Sequence, residues 1–583
     1  MDKGGDHLAI VGDVRTSLGR RDTVAVVVLC LIGVGIPFWL AAAAGAIGIP
    51  TVDDWVYMRG ALSLFHTGVI DMPGHTAAAV GQLLMVQPLL QLSGGDPWAF
   101  TAFGLLMTLV VILATYLLAR RFVGIGSAVM VVLLVVAFPG FARVSASFMT
   151  DIPAYALGML CLLVGTIWLE GGKRWALLAC LGLGLLAVSV REFALAAPVA
   201  VLVISWARSE AKDRPWLAGA SALFALGLGG VLFAASLIPG HAVPETTGGL
   251  GRIVLVVPAV LTVAAVLLPV LVLAIGRHMH SLTPMQILAG VGIAGLAFVA
   301  PWGTWTGGGG NFWTPFGLAG DGLLRGAREI VIGGTAWALS AQLAWIAAML
   351  LATLAISWAQ RDLAGVRSLS GMRTTMHRMA WAPSGLLGTF LVISAGGLFA
   401  FAAVYGVWDR YLYPLVPAAA ILLLRWVPEA VRLGRSLAFS NAAFAWLAAS
   451  ALAIAANSFA YDAARWREGE AAVAIGYESR TIDAGYEWVG YHSSGTGGQG
   501  GGDRGQAWFE YLMPPAPICA IVSNSPPGTD EPFLDKGLLP LDGNYVLLMG
   551  NESAYSQYLF VGKAQPLYLY GASLSGCPLP EPR

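Results

Sequence analysis

Apolar runs of about twenty residues recur along this 583-residue chain, separated by short polar stretches. A bilayer-spanning helix needs about 20 apolar residues. That length predicts spans at 23–45, 99–119, 123–141, 152–169, 174–190, 192–208, 215–238, 253–276, 285–301, 332–358, 384–405, 410–427 and 440–458. These thirteen segments predict an all-α polytopic membrane bundle, residues 23–458. The first run is longer than the apolar core of a cleaved signal, so it reads as a signal anchor. From residue 459 the pattern changes to short apolar runs at 518–522, 545–549 and 566–570, bounded by Gly, Pro and Asn. They read as strands of a small α/β or β-rich C-terminal domain, 459–583.

The cations give the bundle a direction. Arg15, Arg20, Arg21, Arg120, Arg121, Lys173, Arg174, Arg208, Lys212, Arg214, Arg361 and Arg367 fall in alternate connections, and the intervening ones are sparser, with single cations such as Arg59, Arg143, Arg191, Arg252 and Arg410. The positive-inside rule then makes residues 1–22 cytoplasmic. Loops 46–98, 142–151 and 302–331, with the C-terminal domain, lie on the extracytoplasmic face of a plasma (inner) membrane. Composition agrees, since 57% hydrophobic and 11% charged residues with a mean hydropathy of +0.73 do not suit a soluble protein. A net charge of zero argues against a nucleic-acid partner. The larger loops share one face, whereas an alternating-access transporter usually shows repeats with matched loops.

Charges are scarce on that outer face, so their positions carry information. Asp53 and Asp54 follow the first span, and Asp54 to Thr67 reads as an amphipathic helix on the membrane surface, ended by Gly68. Either aspartate there also fits a helix N-cap. Asp151 opens the fourth span two residues before Pro153 and fits an N-cap equally well. Arg191 sits in a tight turn beside Glu192, where a local Arg–Glu pair is one reading and function the other. Arg410 begins the segment Arg410-Tyr411-Leu412-Tyr413-Pro414-Leu415-Val416-Pro417, with a guanidinium at headgroup level suited to gripping phosphate. Loops of one bundle converge at its rim, so these groups are expected to meet around one cavity.

The acidic pair after the first span, the Asp-x-Pro step opening the fourth and the Arg-Tyr-Leu-x-Pro-Leu-x-Pro segment together resemble the integral-membrane glycosyltransferases of the GT-C fold. Within that fold the order and spacing look like the bacterial protein-mannosyltransferase and aminoarabinose-transferase branch, over roughly 20–430. The resemblance implies transfer of a hexosyl or pentosyl group, with inversion, from a polyprenyl-phosphate donor to a hydroxyl of a protein, lipid or glycan of the cell envelope. It implies Asp53 as general base, Asp54 as a partner that orients the acceptor, and Asp151, Trp55 and Tyr57 around sugar and acceptor. Arg191, Arg410 and Tyr411 would hold the lipid phosphate. The alternatives are a polyprenyl-linked glycan polymerase or ligase, and a lipid-linked sugar transporter.

Other features add less. His66 and His75 are too far apart for a helical metal pair. No cofactor is implied, although Asp53 and Asp151 could share a divalent cation, whose oxygen ligands leave little sequence signature. Cys30, Cys161 and Cys180 fall within spans, while Cys519 and Cys577 share the outer tail and suggest one disulfide. The Trp- and Gly-rich loop 302–331 reads as an interfacial belt or a lid. The aromatic and polar stretch 483–492 suits carbohydrate or packing against the bundle, and 495–505 reads as a flexible loop.

Overall fold

The computed structural model describes residues 19–72, 77–238, 256–278, 281–299, 313, 334–363, 384–404, 408–425, 427, 435–492, 518–524, 526, 545–558, 562–572 and 577. His75, the 495–505 stretch and the 302–331 loop apart from Trp313 lie outside them.

The chain is a multi-pass helical bundle with a small sheet at its C-terminal end. Seven helices among the described residues are long and apolar enough to cross a membrane, and five shorter ones are also apolar. Each predicted span has a helical counterpart. The first is Arg20–Ala44, with a π turn at Leu31–Gly35. The sixth and twelfth begin as 3-10 turns, Glu192–Leu195 and Asp409–Leu412, before Ala196–Arg208 and Leu415–Arg425.

The last helix differs from expectation. It runs unbroken from Arg435 to Ala474, so the expected boundary at 459 falls inside it. Forty residues at 1.5 Å each make about 60 Å, roughly twice the hydrocarbon thickness. Its C-terminal part therefore runs on past the hydrocarbon, with Phe459 and Ala463 still packed against Ala41 and Ala142. Asn457, Asp462 and Arg465 lower the hydropathy there, yet they are buried and the helix continues through them.

That C-terminal part carries the sheet. Four strands, β1 Ile482–Asp483, β2 Ala520–Ser523, β3 Tyr545–Tyr558 and β4 Gly562–Ala572, are ordered β1-β2-β4-β3. β1 pairs parallel with β2, and the other pairings are antiparallel. Tyr461 and Ala464 of the long helix share a core with Val522, Leu567 and Leu569. Cys519 and Cys577 are disulfide-bonded within the same core.

The loop after the first span is more structured than its sequence suggests. Besides Asp54–Thr67 it holds a second helix, Val80–Ser93, whose period is obscured by the internal Pro88. The second loop lies directly on the helix Trp98–Arg120, because Gly104 leaves room for its backbone. A Cβ at Gly104 would stand 2.4 Å from the Ser147 carbonyl oxygen.

Candidate active site

The two adjacent aspartates part company. Asp53 occupies the N-cap position of Asp54–Thr67, yet its side chain makes no capping bond. Its Oδ2 instead accepts from Arg410 Nη2 at 3.1 Å, and its Oδ1 accepts from the Tyr486 hydroxyl at 3.1 Å. The side chain remains 36% exposed, enough for a substrate to reach it.

Asp54 is only 1% exposed. Its carboxylate accepts from the Thr51 N–H and, at 3.2 Å, from the Phe148 N–H. Burial pushes this carboxyl well above the usual range, against the effect of those two bonds. Asp54 thus ties the loop after the first span to the loop before the fourth. Trp55 is likewise internal. Its ring packs edge-on against Tyr486 at 5.8 Å, and a Cβ at Gly490 would collide with it at 2.3 Å.

Asp151 begins the helix Asp151–Gly171 but does not cap it. The carboxylate is fully buried, with Arg410 Nε 3.7 Å away, and neither oxygen has a hydrogen-bond partner among the described residues. Arg410 Nε and Nη1 are in the same condition. Arg410 therefore stands between Asp53 and Asp151, where a shared cation was one expectation. Buried polar groups are nearly always satisfied, so this is a place built to receive polar atoms.

Arg191 does not pair with Glu192. Nη1 donates to the Thr150 hydroxyl at 2.9 Å and the Tyr57 hydroxyl at 3.4 Å, and Nη2 donates to the Tyr411 hydroxyl at 2.6 Å. Glu192 accepts from the Ala78 N–H at 2.8 Å, which seats the start of Val80–Ser93 on this turn. The Tyr411 ring lies between the two guanidiniums, 5.0 Å from that of Arg191 and 5.6 Å from that of Arg410. Burial pushes the Tyr57 hydroxyl up to about 12, so it keeps its proton.

On the far side of Arg191 and Tyr411 opens a cavity of about 820 Å³. Its walls are apolar, with Tyr155, Met159, Leu232, Phe390, Leu398 and Phe401 among them, and Arg191 and Glu192 are the charged residues lining it. Of the five charged groups expected around one cavity, Arg191 alone lines this one. Asp53, Asp151 and Arg410 form a polar cluster beyond Tyr411, and Arg191 joins that cluster to the apolar space.

Tyr486 and Glu487 were noted from the sequence only within the stretch 483–492, and Thr150, Arg143, Asp462 and Arg465 were not singled out. The last two carried a signal, opposite charges three positions apart in an apolar helix.

Among the described residues no group of three or more His, Cys, Asp or Glu side chains could hold a metal ion. No protein of curated function matches the chain in sequence. The fold overlaps the crystal structure of ArnT from Cupriavidus metallidurans bound to undecaprenyl phosphate, at 10% identity over 96% of this chain and 99% of that one, with a TM-score of 0.45. The apo state of the same protein overlaps at 12% identity over 94% and 98%, with a TM-score of 0.38. Residues 81–228 match the family model of dolichyl-phosphate-mannose-protein mannosyltransferase. Through this segment, which carries Asp151 and Arg191, the chain is similar to that family, in agreement with the resemblance read from its sequence.

Proposed function

We propose that the protein is a membrane glycosyltransferase that moves a sugar from a polyprenyl-phosphate donor to an acceptor hydroxyl, on the extracytoplasmic face. The observation that carries this reading is the junction at Arg191: a cation at the head of an 820 Å³ apolar cavity, joined through the Tyr411 ring to Arg410, which pairs with the partly exposed carboxylate of Asp53. A lipid phosphate needs an apolar place for its chain and a cationic one for its head. The family match over 81–228 supports the same class.

In this reading the isoprenoid chain lies in the cavity and its phosphate meets Arg191, with Tyr57 and Tyr411 donating their hydroxyl protons. Arg410 offers Nε and Nη1 toward the sugar phosphate. Asp53 takes the proton of the acceptor hydroxyl as its oxygen attacks the anomeric carbon. The bond from that carbon to the phosphate oxygen breaks, and the phosphate leaves with the electron pair. The paired cations stabilise the charge it gains. One displacement of this kind inverts the anomeric configuration. Asp151 keeps Arg410 in place and borders the sugar.

The test is turnover of a labelled polyprenyl-phosphate sugar by the protein reconstituted in liposomes. Release of polyprenyl phosphate with label appearing on an acceptor is expected. Translocation of intact donor without cleavage would replace the reading with a transporter.

A further inference from the structure

The C-terminal tail reaches the same site. Tyr486 and Glu487 open the short helix Tyr486–His492, more than four hundred positions from Asp53, yet both contact the Asp53 turn. The Tyr486 hydroxyl donates to Asp53 Oδ1. Glu487 Oε1 accepts from the N–H of Val52 at 2.9 Å. Val52 is held at a φ of +52°, a conformation that a β-branched residue adopts only when its surroundings impose it.

What imposes it is a buried ionic network. Glu487 Oε2 pairs with Arg465 Nη1, and Arg465 donates to Asp462 Oδ1 at 3.1 and 2.9 Å. Asp462 Oδ2 pairs with Arg143 of the second loop and accepts from the Thr51 hydroxyl at 3.3 Å. The Glu487, Arg465, Asp462 and Arg143 side chains are fully buried. Buried ion pairs add little net stability and are better at fixing one arrangement over others. Here four charges from three distant segments converge on the two residues that precede Asp53.

Resting on the glycosyl-transfer reading above, we propose that Tyr486 and Glu487 are positioning residues for the base, so that the C-terminal unit completes the active site. Tyr486 fixes the direction of the Asp53 carboxylate, and Glu487 fixes the strained turn that presents it. The reaction needs the base within hydrogen-bond reach of the acceptor oxygen, and a displacement of about 1 Å can cost on the order of 100-fold in rate.

The test compares kcat and donor KM for the full-length protein and three variants in liposomes, per folded molecule. Tyr486→Phe keeps the ring against Trp55 and removes only the hydroxyl; kcat should fall by roughly 10-fold with donor KM unchanged. Glu487→Ala should lower kcat by roughly 100-fold, and Glu487→Gln, which keeps an oxygen for the Val52 N–H, should restore a large part of it. A merely structural role would lower the yield of folded protein and leave kcat alone. Wild-type kcat in Tyr486→Phe overturns the inference by itself. A wild-type protein that transfers no sugar overturns the parent reading and this inference together.

Discussion

Arg410 donates from Nη2 to Asp53 Oδ2 at 3.1 Å, across 357 positions of sequence. The exposed partner is the carboxylate, since Arg410 keeps only 4% of its side-chain surface against 36% for Asp53. The pairing holds one carboxylate oxygen in place and leaves the group open to a substrate. It also sets the charge balance of the site, because Asp151 approaches the same guanidinium at Nε.

The neighbouring aspartate separates structure from chemistry. Asp54→Asn places an amide N–H against one of two backbone N–H donors, so folded yield and thermal stability should fall, by about 1–3 kcal/mol. Transfer per folded molecule should stay near wild type. Intact stability with lost transfer would return Asp54 to the acceptor.

The cavity can be filled from within. A Cβ at Gly158 meets nothing within 4 Å, and this glycine lines the cavity. Gly158→Leu should fold, since leucine is a better helix former than glycine, and should raise KM for a long-chain donor by at least about 10-fold. A water-soluble donor with a truncated chain should be affected less. Equal effects on both would mean the chain binds elsewhere.

Arg191 is predicted to act on binding and on the leaving group together. Arg191→Lys keeps the charge but loses the planar fork that reaches Thr150, Tyr57 and Tyr411 at once. Donor KM should rise and kcat fall, each by roughly 10-fold. An unchanged KM would remove the phosphate from this guanidinium.

The C-terminal unit supplies a pH test. Burial pushes the His492 imidazole from its ordinary 6.5 down to about 4, and its ring packs at a tilt against Trp488, 4.2 Å between centroids. The unfolded chain therefore takes up a proton that the folded one refuses, so this contribution to stability is full above 6.5 and lost as pH falls toward 4. His492→Phe keeps a ring there and should flatten the thermal-stability profile across that window. An unaltered profile would place the acid sensitivity elsewhere.

Much of the architecture was legible because lipid imposes length and apolarity on every span, and those are properties of consecutive residues. Arg191 and Arg410 were legible as charges in places that lipid penalises. Asp53 was legible as a candidate, but its division of labour with Asp54 was not, since one residue of spacing puts the two side chains in different surroundings. The roles of Tyr486, Glu487 and Arg465 were hidden for another reason. Their partners lie far away in sequence, 433 positions for Tyr486 and Asp53, and no local pattern records such a contact. The helix Val80–Ser93 escaped because Pro88 breaks the expected pattern while the surrounding packing overrides it.

The most direct measurement is single-turnover transfer of labelled sugar from a polyprenyl-phosphate donor by wild type and Asp53→Asn, side by side in liposomes. The account predicts that Asp53→Asn folds, binds donor with wild-type affinity and transfers at least about 100-fold more slowly. Transfer by Asp53→Asn at the wild-type rate would contradict it.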